Sequence, residues 1–127
     1  MTAVHVVTLL EEMPVQETTD AIEELTGLGL PVGTVIVNAT RPPLLAGTRI
    51  TAANLRRGLG AAGLEVDRDT LAGLVAEANG YQTRVEVEAA LRAELAALGR
   101  SVVELPILRD GVTREGLDLL AAVLAEA

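Results

Sequence analysis

The sequence predicts an α/β fold, a Rossmann-like parallel sheet in three layers with helices flanking it. Three observations lead there. Short β-branched runs alternate with longer stretches whose apolar residues recur at helical spacing. The first two runs, beginning at Val4 and at Thr34, are joined by a helical crossover long enough for parallel pairing. The order of elements, β-α-β, then helices, then β-α, is that of chains that build parallel sheets.

Each element has its own grounds. Val4, Val6, Val7 and Leu9 form an apolar run without flanking charge, the pattern of a strand covered on both faces. Pro14 suits a first helical turn, where its missing N–H costs nothing, and Glu17 and Asp20 favour the positive end of the helix dipole. Val15, Ile22, Leu25 and Leu28 share one helix face, and Gly27, Gly29 and Pro31 stop the helix. Thr34 to Val37 is the second strand and ends on Asn38. Arg41 to Ile50 reads as a Pro- and Gly-bearing loop. Thr51 caps a short helix through Leu59, weakened by Gly58, Gly60 and Gly63. Asp67 or Asp69 caps a further helix to about Asn79, with Gly80 at its end. Val87, Leu91, Leu95 and Leu98 mark a separate, longer helix ending at Gly99. Ser101 to Leu105 is the third strand, stopped by Pro106, and Leu117, Leu120 and Leu124 stripe a closing helix.

Composition narrows the function. With 127 residues, 50% of them apolar, the chain buries one sizeable core. It has no cysteine, which excludes disulfides, thiolate catalysis and thiolate metal sites within the chain. A net charge of -8 argues against nucleic acid and against anionic membranes as partners. No apolar run approaches a membrane span and no leader is recognisable, so no direct membrane insertion and a cytoplasmic location are expected. His5, the single histidine, lies within an apolar strand and reads as a structural histidine. Tyr81 is the single aromatic residue, too few for a base-stacking surface. Glu11 and Glu12 have no recognisable partner for acid–base or metal chemistry, and no catalytic residue and no metal site is assigned.

In open parallel sheets, ligands sit off the carboxyl ends of the strands. Those ends present Glu11 and Glu12, then Asn38, then Pro106 to Leu108. An asparagine amide offers a donor and an acceptor side by side, which matches an edge of adenine, and a proline-led apolar turn supplies a packing face for a ring. Asparagine after a strand is also common for the turn-forming hydrogen bonds of its side chain, and that reading stays open here.

The segment Val6 to Asn38 resembles the anion-transporting ATPase family, which includes the arsenical-pump ATPases and the tail-anchored-protein targeting ATPases. The resemblance rests on Glu11, on Glu17-Thr18, on Glu24-Leu25, and on Val37-Asn38 at a spacing that needs no gap. The run ELPIL, Glu104 to Leu108, followed by Gly111 and Val112 and the closing helix, is similar to the family's end. Residues from Arg41 to Arg100 carry no part of it. The resemblance implies that Asn38 reads adenine, that Pro106, Ile107 and Leu108 open the adenine loop, and that Glu11 lies near the nucleotide or a dimer edge. In the targeting branch the helix after the first strand meets basic receptor tails. Glu24 matches one acidic position of that surface, but Thr19 stands where another acid is expected, and a solvated helix face accounts for Glu17, Asp20, Glu23 and Glu24.

The chain departs from the family in its phosphate chemistry. No G-x-x-x-x-G-K-[ST] loop appears, and there is no lysine, all ten cations being arginine. The family's switch aspartates and client-binding helices, which precede the matched region, are missing too. Residues 1–127 therefore read as the carboxyl-terminal portion of an anion-transporting-ATPase-like domain, a partial P-loop-NTPase-type domain lacking the P-loop, and the buried-looking strand directly after Met1 favours a fragment. ATP and Mg²⁺ are the parent family's ligands, and neither is expected to bind tightly to this chain alone. The expected partners are an amino-terminal ATPase half and further copies of the chain, a homo-oligomer in which the Val87-Leu91-Leu95-Leu98 stripe or a strand edge is covered. The alternative is a non-enzymatic, self-associating interaction module.

Overall fold

A computed structural model describes residues 2–45 and 47–126. The chain divides into two compact units, Met1–Pro42 with Glu88–Ala127, and Pro43–Val87. The first unit holds β1 (Val4–Thr8), α1 (Glu12–Gly27), β2 (Val32–Thr40), β3 (Val102–Pro106) and α4 (Arg114–Ala125). The second holds α2 (Ala52–Ala61) and the start of α3 (Arg68–Ala97), whose last turns belong to the first unit.

The three strands form one sheet in the order β1-β2-β3, with both pairs parallel. The expected α/β fold is present. Val15 and Ile22 of α1, Leu91 and Leu95 of α3, and Val32, Val35 and Val37 of β2 form one buried cluster on one face of the sheet. The remaining position on the inner face of α1 is taken by Thr18, buried with its hydroxyl donating to the Pro14 carbonyl at 2.8 Å, so no polar atom is stranded. Leu124 of α4 lines one concavity with His5 and with Thr34 and Ile36, the residues of β2 that alternate with the core valines, so α4 lies on the other face of the sheet.

Four expectations are corrected. The first strand is not covered on both faces: Val6 packs against the core, while Val7 is 62% exposed. α4 makes its main contacts with β3, the strand at the opposite edge of the sheet from β1. Leu28 does not join the α1 stripe; it is exposed beyond the last turn, where Gly29 takes φ +75 and the chain turns away. Gly80 ends nothing. α3 is a single helix of 30 residues through that position, about 45 Å long, because each of its internal glycines, Gly73 and Gly80, costs only about 1 kcal/mol against Ala, which burial of Leu71, Leu91 and Leu95 outweighs. Finally, Leu91 and Leu95, offered as a surface for self-association, are spent in the chain's own core.

The second unit is held largely by polar caps. Thr51 and Asn54 form a reciprocal capping box at the start of α2. Asn54 also donates to the Arg49 carbonyl and Asn79 to the Ile50 carbonyl. Asp67, rather than Asp69, caps α3: its carboxylate accepts the Thr70 N–H at 2.7 Å, which holds its pKa below the usual value. Leu71 is the one buried apolar side chain of this unit among the described residues.

Candidate functional site

Because both strand pairs are parallel, the carboxyl ends of β1, β2 and β3 lie along one edge, and Glu11, Asn38 and Pro106 follow or close those ends. The ends of β2 and β3 are tied to each other. The Ile107 N–H donates to the Thr40 carbonyl at 2.9 Å, and the Thr40 hydroxyl donates to the Leu105 carbonyl at 3.3 Å.

Just before Thr40 the ladder is interrupted. Val37 pairs with Glu104 and Thr40 with Pro106, so Asn38 and Ala39 of β2 together oppose the single residue Leu105. This is a β-bulge, a device that re-aims side chains and is over-represented beside active sites. Ala39 takes φ +56, the left-handed region that a residue with a Cβ enters only at a cost. Asn38 is thereby turned out and exposed. Among the described residues its amide makes no hydrogen bond, to its own backbone or to any neighbour. The turn-forming reading of Asn38 thus finds no support in the geometry, and the amide is left with its full donor and acceptor capacity.

Beyond β3 the chain folds back on the start of α4. Thr113 caps that helix, accepting the Gly116 N–H at 3.1 Å. Leu108 packs down on Gly116 so closely that a Cβ there would stand 2.9 Å from Leu108 Cδ1. Gly111, at φ +75, makes the turn between them. Residues 107–111 and the first turns of α4 enclose a concavity of about 270 Å³. Ile107 is 40% exposed within it, whereas Leu108 is half-buried against the helix, so the proline-led turn offers mainly Ile107 as an outward apolar face. Glu11 is the exposed N-cap residue of α1 and its carboxylate makes no capping bond.

The sequence of this chain is similar to part of proteins named as ATPases. It is 41% identical over 98% of its length to the ATPase BagA of Mycobacterium tuberculosis, and equally to a protein of Mycobacterium bovis named "Putative ATPase Mb3704". Its relatives are named ATPases. The chain spans 39% of the length of each of these relatives. No protein-family model matches the chain.

Two contacts around this edge were not legible from the sequence. Arg92 of α3 forks onto Glu104 of β3, with Nε to Oε1 at 2.7 Å and Nη2 to Oε2 at 3.0 Å. Glu88, one helical turn back, lies 3.8 Å from the same guanidinium. The hydrogen bond to Glu104 raises the Arg92 pKa above its ordinary value. Nothing in a one-dimensional pattern pairs two residues that stand on a helix and on the following strand. The bulge at Asn38 and Ala39 was equally hidden, because no glycine marks it.

Proposed function

We propose that this chain is the base-holding, carboxyl-terminal part of an ATPase of the anion-transporting type, the group of the arsenical-pump and tail-anchored-protein targeting ATPases. In that reading Asn38 reads the adenine edge and Pro106, Ile107 and Leu108 form the adenine loop. Glu11 stands toward the nucleotide or a subunit edge. The observation that carries the reading is the exposed, unbonded Asn38 amide, held out by a bulge with a left-handed alanine on the strand whose end the Ile107 N–H ties to the Thr40 carbonyl. The names of the relatives support the ATPase part of it.

Phosphate and Mg²⁺ handling belong, in this proposal, to the portion of the relatives that the chain does not span. The described residues bring together no group of three or more His, Asp or Glu suited to a metal, and no phosphate loop is present in the sequence. The role left to this chain is to bind and orient the base, which fixes where the phosphates fall. No helix of the described residues is long and apolar enough to cross a membrane.

The test is a titration with adenosine monophosphate followed by NMR. Shifts confined to Asn38, Ala39 and residues 106–111, abolished by Asn38→Ala, are the expected result. Shifts scattered over the surface, or unchanged by that substitution, would remove the reading.

A second reading, a self-associating interaction module, is favoured by one observation. β1 is an edge strand with Val7 62% exposed, and edges of this kind recruit other strands.

A further inference from the structure

The geometry points to Arg92 as the positioning residue of the base site, acting through Glu104; this rests on the reading of Asn38 and residues 106–108 as that site. Glu104 is the register partner of Val37, the last paired residue before the bulge that carries Asn38. It also stands two residues before Pro106, where the following loop begins. One side chain therefore sits at the junction of both base-holding segments, and Arg92 grips it with two parallel hydrogen bonds.

The grip is anchored. Arg92 lies between Leu91 and Leu95, which are 6% and 0% exposed in the core, so the helix cannot slide beneath it. Glu88, one turn back on α3, lies 3.8 Å from the third guanidinium nitrogen, Nη1. With the fork in place, β3 cannot shift relative to α3. The Thr40 hydroxyl and the Ile107 N–H then transmit that fixed register to the strand ends. An unpinned β3 would let Leu105 slip to face Asn38 or Ala39 singly, which removes the bulge and turns the Asn38 amide away.

An ordinary structural ion pair would affect stability alone, so the experiment reads coupling. Affinity for adenosine monophosphate is measured on the full chain for the unchanged sequence, Asn38→Ala, Arg92→Gln and the double variant. Asn38→Ala is expected to weaken binding roughly tenfold in the unchanged background and by less than about twofold when Arg92 is already glutamine, because the amide is no longer held in place. Ile22→Val, a mild core loss, serves as the stability control and should leave the tenfold effect intact. Backbone chemical shifts provide a ligand-free readout: Ala39 should leave its positive φ in Arg92→Gln, keep it in the Ile22→Val control, and regain it in part with Arg92→Lys. Should Arg92→Gln fail to fold, Glu104→Met, which keeps the side-chain length and removes both hydrogen bonds, replaces it with the same expectations. Equal losses from Asn38→Ala in both backgrounds would overturn the positioning role while leaving the base site standing. No effect of Asn38→Ala in the unchanged chain, or no binding by about 10 mM ligand, would overturn the base site and this inference with it.

Discussion

The His5 imidazole lies against Gly33, so near that a Cβ on residue 33 would stand 2.7 Å from its Cε1, while its Nδ1 accepts the Thr34 N–H at 3.1 Å. The two facts have one origin. Val4 pairs with Val32 and Val6 with Val35, leaving His5 opposite both Gly33 and Thr34. The extra residue frees an N–H from the ladder, and the histidine side chain takes it up. The bulge also lets Val32 and Val35 face the same core despite their odd spacing.

Gly33→Ala is accordingly expected to destabilise the chain by about 1–3 kcal/mol, since the ring must leave or the strands must part. His5→Ala alone should cost about 0.5–1.5 kcal/mol for the lost hydrogen bond. The double variant should be no worse than the poorer single one, because the clash has gone. Urea denaturation of the three variants checks this; strictly additive losses would show that the ring and Gly33 do not touch.

Ala39 carries the opposite expectation. A Cβ in the left-handed region costs about 1–2 kcal/mol, against the roughly 0.5–1 kcal/mol of extra chain entropy that glycine brings. Ala39→Gly should therefore raise stability by up to about 1.5 kcal/mol, seen as a higher urea midpoint at unchanged slope. A lower midpoint would mean that the bulge is not strained.

Asp67 sets an acid-sensitive end on α3. Its pKa is lowered, first by the hydrogen bond from the Thr70 backbone and then by the Thr70 hydroxyl. A depressed carboxyl contributes its stability fully above the unfolded value, here 3.8, and loses it as the pH falls through the lower folded value. Amide exchange at Thr70 and Leu71 should quicken relative to the helix centre below about pH 3.8. Asp67→Asn, still a good cap, should abolish that pH dependence.

Isolated, the chain should not hydrolyse ATP. Phosphoryl transfer depends on positioning and neutralising the γ-phosphate, and neither a phosphate loop nor any lysine is present. Mg²⁺-stimulated phosphate release that tracks the chain through successive purification steps would contradict this.

The open β1 edge should associate. Light scattering at tens of micromolar is expected to give a mass above that of a monomer, with Val7→Lys reducing it, since a charge on an edge strand blocks pairing. A monomer with the unchanged sequence would show that the edge is left solvated.

Much of the architecture was legible in the amino-acid order, and for local reasons. β-branched runs, helical stripes and stop signals such as Gly27 and Pro31 depend on neighbours a few residues away, and they located all three strands and the parallel crossover. Local rules also misled where tertiary packing outweighed them. Gly80 reads as a stop, yet α3 continues through it, because the far end of the helix is buried through Leu91 and Leu95. Val7 looks like core, yet its exposure depends on what comes to lie above it, and it stays 62% exposed.

At the strand ends the division is sharper. The order of residues alone determined that Glu11, Asn38 and Pro106 share one edge, because parallel strands joined by crossovers must end together. Whether Asn38 spends its amide on its own backbone was decided only by the register of β2 against β3. Two residues there oppose one, and Ala39 takes a left-handed turn. That register is in turn held by Arg92 on Glu104, a contact between a helix and a strand. Pairing register is a property of two segments at once, so no pattern along either one contains it.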